Sequence, residues 1–160
     1  MKTDPKKTRM GLAMVIATSI AIPAEGLRQK AYYDPPGILT VCYGSTTDVV
    51  AGKVYSLEEC NERLNADMRQ ALETVERCVP GLPVGQLAAW GDAVYNLGPK
   101  IVCDQRRSTA ARLLATGSYE AACRQLPRWD KATVGGVPVG LPGLTKRRAR
   151  EMEVCLRSAS

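Results

Sequence analysis

At 160 residues and 17.3 kDa the chain has room for one compact domain with a real core, not for two of ordinary size. A formal charge of +6 and a pI of about 9.1 call for an anionic partner, and cell wall, nucleic acid and membrane surface all satisfy that. The chain has no His and no C-x-x-C pair among its six cysteines. A mixed Cys/His metal site and a zinc ribbon are therefore excluded, and acid–base chemistry falls to Asp, Glu, Lys, Tyr or Cys.

In chain order, residues 1–9 are basic, with Lys2, Lys6, Lys7 and Arg9 against Asp4, and Met10 to Ala24 then run for 15 residues without a charge. A basic stretch before an apolar one is the pattern of an export signal or of an anchor with its N-terminus in the cytoplasm. As a helix the run spans about 22 Å, short of a hydrocarbon core of about 30 Å. Gly11, Thr18, Ser19 and Pro23 weaken it further. Three readings stand: a marginal anchor, a signal peptide cut after Ala24, or a core helix. Cutting after Ala24 would leave no helix before Glu25, which argues against cleavage if Glu25 is catalytic.

The segment Glu25 to Thr46 predicts a short helix from about Glu25 to Lys30 and a turn at Pro35-Pro36-Gly37. An apolar β run follows from Ile38 to Tyr43, closed by Gly44. Such a path brings Glu25, Asp34 and Thr40 toward one cleft. Two carboxylates in different surroundings suit cleavage of a glycosidic bond: one keeps a proton for the leaving oxygen, while the other stays ionised beside the developing positive charge. Two solvated surface acids are the plain alternative.

Ser56 to Glu59 reads as a capping box opening a long helix, with apolar positions at 57, 60, 64, 68, 71, 75 and 78 predicting about six turns of core-facing stripe. Val79 to Pro83 stops it. Leu87, Trp90, Val94 and Leu97 mark the next helix, ended by Gly98-Pro99, with Asn96 a structural cap or a cleft residue. Two short helices are expected at 106–115 and 118–126, and Trp129 as a core or cleft-wall residue. The Gly- and Pro-rich stretch 134–143 reads as a loop. Leu144 to Leu156 reads as a terminal helix whose Lys146, Arg147, Arg148 and Arg150 form a solvated basic face or attract an anionic polymer.

Taken together these stretches resemble the phage-type lysozymes, or endolysins. The family pattern of E-G, A-Y-x-D, G-x-x-T and a G-x-T turn is met by Glu25-Gly26, Ala31-Tyr32-Tyr33-Asp34, Gly37-Ile38-Leu39-Thr40 and Gly44-Ser45-Thr46. Tyr95-Asn96-Leu97-Gly98, Arg128-Trp129 and the G-L-x-x-R-R run from Gly143 to Arg148 are similar to further family motifs. Where the family usually carries His this chain has Ser45, so no side-chain role is expected there. The resemblance runs from Glu25 to about Leu156. It implies an α+β, lysozyme-like, mainly helical fold, with a small N-terminal β-containing lobe and a larger C-terminal helical lobe joined by the long helix. It further implies hydrolysis of the β-1,4 bond between N-acetylmuramic acid and N-acetylglucosamine in peptidoglycan, with inversion and carboxyls about 6.5–9.5 Å apart. Glu25 would be the general acid, Asp34 its electrostatic partner or base, and Thr40 the group that places water. No metal or organic cofactor and no nucleic-acid partner is expected, and the enzyme would be a monomer.

The N-terminus is similar to that of the signal-arrest-release branch. Residues 1–24 would be an uncleaved, exported anchor held in the host inner membrane through residues 10–24 and later released to the periplasm, and residues 25–160 the catalytic domain. Residues 1–24 contain no Cys, so release by disulfide exchange within the anchor is excluded. Export favours disulfides, and spacing alone leaves about 15 pairings open. By resemblance Cys42, Cys60, Cys123 and Cys155 sit at positions familiar in the branch, while Cys78 and Cys103 are additions that would pair with each other. A lytic transglycosylase and a membrane-tethered binder without turnover are the competing readings.

Overall fold

The computed structural model describes residues 2–159. Its first element, helix α1 (Pro5–Glu25), starts where Asp4 accepts the Lys6 amide at 3.0 Å and Pro5 supplies a pre-set φ. The helix ends at Gly26, whose φ of +70° is one a side chain rarely adopts. The expected short helix from Glu25 is therefore not there. Glu25 closes α1, and β1 (Arg28–Tyr33) runs antiparallel to β2 (Leu39–Cys42) with Tyr32 facing Thr40. The Arg28 to Tyr33 stretch finds a partner strand, and that pairing outweighs its helical composition. On its other side β1 exchanges hydrogen bonds with the segment before α2: Ala31 N donates to Lys53 O, and Gln29 O accepts from Tyr55 N.

Helix α2 (Leu57–Cys78) carries the expected capping box, and buries Cys60, Leu64, Met68, Ala71, Leu72 and Val75 along one stripe. It leads from the small β lobe into a helical lobe built around α3 (Val84–Leu97), in which Gly85 to Val94 are all buried. Around α3 pack α1, α2 and the terminal helix α7 (Pro142–Ala159), with α4 (Lys100–Cys103), α5 (Thr109–Ala115) and α6 (Tyr119–Cys123) closing the far side. The core is built mostly from Ala, Val, Leu, Ile and Cys around a fully buried Trp90, and Trp129 leans on it half-buried. Residues 134–143 are not a loop throughout: β3 (Lys131–Val134) and β4 (Val137–Gly140) form a hairpin around Gly135-Gly136.

All six cysteines are paired, as Cys42–Cys60, Cys78–Cys103 and Cys123–Cys155. The first ties β2 to α2, the second α2 to α4, and the third α6 to α7. The pairing of the two additional cysteines with each other is thus observed.

The uncharged run 10–24 forms most of α1, so the boundary drawn at 24/25 falls one residue before the helix ends. Ala13, Ala17, Ile20 and Ala21 are buried in the core, while Leu12, Val15 and Ile22 face outward. Among the described residues no helix is long and apolar enough to cross a membrane.

Candidate active site

The two lobes leave a cleft of about 660 Å³, and Glu25, Asp34 and Thr40 all border it, with Tyr32, Gly44 and Asp67 beside them. The structure thus brings together the three residues singled out from sequence, from a helix end, a turn and a strand. Glu25 is the last residue of α1. Asp34 opens the β1–β2 turn, where its amide donates to Ile38 O at 3.0 Å and its Oδ1 accepts the Ile38 amide at 2.7 Å. Thr40 lies in β2, buried, with its hydroxyl donating to Ile38 O at 2.9 Å. One tight turn therefore fixes both Asp34 and Thr40.

Glu25 is held by a residue of the basic run that reads from sequence as a solvated face or an attraction for an anionic polymer. Arg147 Nη1 donates to Glu25 Oε1 at 2.5 Å, while its Nε and Nη2 grip the fully buried Asp92 at 2.9 and 2.8 Å. Burial works against the Arg147 charge. The hydrogen bonds and charges of Asp92, then Glu25, more than offset it and hold the guanidinium above its ordinary value. Arg148 is buried too: Nη1 donates to both Glu151 oxygens at 2.9 and 2.8 Å and Nη2 donates to Asn96 Oδ1. Burial, more than any other influence, pushes the Glu151 carboxyl up. So two of the four cations in the basic run of α7 are interior anchors. Asn96 both takes the Arg148 hydrogen bond and borders the cleft.

The Glu25 oxygen that Arg147 does not hold, Oε2, lies against the Gly44 backbone. A β-carbon at Gly44 would stand 3.3 Å from it, at a φ of +84°. The Gly44 turn is fastened from the helical lobe, since Tyr95 Oη donates to Tyr43 O at 2.5 Å. Burial first, then the charges of Glu25 and Asp67, push the Tyr95 phenol up, so it stays a donor.

Ser45 is buried rather than idle. Its hydroxyl accepts from Arg63 Nη1 at 3.3 Å and supports Asp67, a third carboxyl in the cleft that sequence reading missed. Burial pushes Asp67 up, opposed by the Ser45 hydrogen bond and the charge of Arg63. Its position three residues before Gln70 on the polar side of α2 was the available signal. Among the described residues no group of three or more Cys, Asp or Glu side chains is arranged to hold a metal ion.

Comparison with known proteins agrees with this architecture. The sequence profile of the phage lysozyme family matches residues 23–151. The chain is 39% identical over 137 residues to the SAR-endolysin of bacteriophage PS119, covering 82% of this chain and 76% of that one. It is 32% identical over 158 residues to the SAR-endolysin of Pseudomonas phage phiKMV, covering 96% and 94%. The structure superposes on the muramidase domain of SpmX from Asticaccaulis excentricus with a TM-score of 0.76 at 26% identity, covering 90% and 94%. A profile match across the cleft and both lobes, together with relatives above 30% identity along most of the chain, places this protein in the phage lysozyme family, with its lysozyme-like α+β fold.

Proposed function

We propose that this chain is an endolysin that hydrolyses the β-1,4 bond between N-acetylmuramic acid and N-acetylglucosamine of peptidoglycan, inverting the anomeric centre, to lyse a host cell. The observation that carries this reading is the convergence of Glu25, Asp34 and Thr40 on one cleft between the lobes, with Glu25 oriented by a buried guanidinium. Arg147 engages Oε1, so Oε2 is the atom that delivers the proton to the leaving sugar oxygen. Asp34 Oδ1 is committed to the Ile38 amide, so Oδ2 supports the positive charge that develops on the ring and receives the proton of the attacking water. The Thr40 hydroxyl spends its hydrogen on Ile38 O and keeps its lone pairs to accept from that water.

The same reading covers export. Residues 10–24 first hold the protein in the host inner membrane with the N-terminus in the cytoplasm, and the enzyme then leaves for the periplasm and acts as a monomer. Two observations support it: the apolar run is weak as a span, and relatives bear the SAR-endolysin name. Glu25 is the last residue of α1, so its pairing with Arg147 forms only when α1 docks in the helical lobe. The catalytic acid then travels with the anchor.

Digestion of purified peptidoglycan tests the chemistry. The wild type should release a reducing N-acetylmuramic end in the α configuration, and Glu25→Gln should lose about three orders of magnitude in kcat. An anhydro sugar product, a β anomer, or a Glu25→Gln enzyme at the wild-type rate would overturn the proposal.

A further inference from the structure

We infer that the released N-terminal segment completes a second binding site, at the far end of the cleft, for the free carboxylates of the peptide stem carried by peptidoglycan. The inference deepens the proposed lysozyme function and rests on it. Along one wall of the cleft α2 presents Asp67, Gln70, Thr74 and Arg77. Steps of three, four and three residues keep all four on one helix face, over about 15 Å. The catalytic residues stand at the Asp67 end, since Glu25 Oε2 lies against Gly44 and the next residue, Ser45, supports Asp67. Arg77 stands at the other.

Arg77 is exposed and belongs to two cavities at once. The second, of about 540 Å³, is walled on the α1 side by Lys6, Lys7 and Met10 and on the α2 side by Glu73 and Glu76, with Asp4 at its edge. One of its three acids is paired and a second caps a helix. Arg9 Nη2 donates to Glu76 Oε1 at 2.5 Å, and Asp4 caps α1 through the Lys6 amide. Lys6, Lys7 and Arg77 then face Glu73 and Asp4, whose bond to a neutral amide leaves its charge in place, so one positive charge remains in excess beside the wall of the cleft.

The position of this charge depends on the docked state of α1. Arg9 Nη1 also donates to Leu82 O at 2.5 Å, so the first turns of α1 are clamped to the corner between α2 and α3. Lys6 and Lys7 precede the apolar run. While residues 10–24 occupy the bilayer, the two lysines are on the opposite side of the membrane from Arg77, and the site does not exist. Docking α1 therefore does two things: it delivers Glu25 to one end of the cleft and two lysines to the other.

The test uses the full-length released protein and two substrates: peptidoglycan with its stem peptides, and the same glycan after amidase removal of the peptides. An exposed cation–carboxylate contact is worth roughly 1.5- to 5-fold in affinity. Lys6→Gln/Lys7→Gln should therefore raise KM on the intact polymer roughly three- to tenfold at low salt, with kcat unchanged. On the peptide-free glycan KM should equal that of wild type. The difference should vanish at 1 M salt, where the Debye length is about 3 Å. Charge reversal at both lysines should widen it. An unchanged KM on the intact polymer, or an equal rise on both substrates, would overturn the inference while leaving the lysozyme function standing. A wild type that cleaves neither substrate would overturn both.

Discussion

Replacing Arg147 with Met separates what the buried cation does for stability from what it does for chemistry. The guanidinium is 3% exposed and is shared by Asp92, fully buried, and Glu25, partly buried. Met fills a similar length without charge, so Asp92 is left as an uncompensated buried carboxylate. Removing one partner of a buried pair costs about 3–5 kcal/mol, which for a domain of this size lowers Tm by roughly 10 °C. Losing the grip on Glu25 Oε1 should lower kcat about 100-fold as well, the usual consequence of an acid displaced by about 1 Å. The double variant Asp92→Asn/Arg147→Met divides the two effects. Asn neutralises the orphaned charge, so most of the lost Tm should return, while kcat stays low because nothing fixes Glu25. Calorimetry and turnover on purified peptidoglycan, run on wild type, both single variants and the double, close the cycle. A loss below about 1 kcal/mol for Arg147→Met, or a double variant no more stable than the single, would show that Arg147 does not hold the Asp92 and Glu25 charges in place.

Two further outcomes follow from the structure. The disulfides close stretches of 18, 25 and 32 residues, so each adds about 3–4 kcal/mol by restricting the unfolded chain. Cys78→Ala/Cys103→Ala removes one whose sulfurs lie nearest the surface, and denaturant melts should report close to that loop term. Cys123→Ala/Cys155→Ala, taken from the core, should lose more because a cavity is added. Asp67 is raised by burial, so the folded state binds its proton more readily than the unfolded one, whose value is near the ordinary 3.8. Its contribution is therefore greatest below that value and declines as pH rises through the higher folded value. Asp67→Asn should match wild type in Tm at acidic pH and exceed it at neutral pH, and parallel melts with the same difference at both ends would refute this.

The elements that depend on one local pattern were legible. The capping box at Ser56 and the stripe from Cys60 to Val75 state α2 almost residue by residue, and Glu25, Asp34 and Thr40 announce the cleft through short motifs. What was hidden depends on partners far along the chain. Arg147 sits in a run of cations that reads as a wetted face, and its acids lie 55 and 122 positions away. No window of sequence contains both members of either pair. Residues 28–33 mislead for a related reason: their strand exists because Leu39–Cys42 on one side and 53–55 on the other supply its hydrogen bonds. The hairpin of 131–140 is readable only from its Gly135-Gly136 turn, since its strands expose most of their side chains and leave no buried alternation.

Helix α1 explains why the apolar run is so mild. In the docked state its inner face must lie close to α3, and Ala13, Ala17 and Ala21 supply the small side chains that permit it. Larger residues there would lengthen the run's stay in a bilayer and also push α1, with Glu25 at its end, away from Arg147. Its outer face keeps Leu12, Val15 and Ile22 in solvent. In the proposed cycle both features serve one balance. The run is apolar enough to enter lipid, interrupted enough by Gly11, Thr18 and Ser19 to leave it, and small enough inside to dock. Thr18 and Ser19 donate to Met14 O and Ile16 O within the helix, so their hydroxyls are satisfied in either surrounding. That removes the largest cost of moving them between the two.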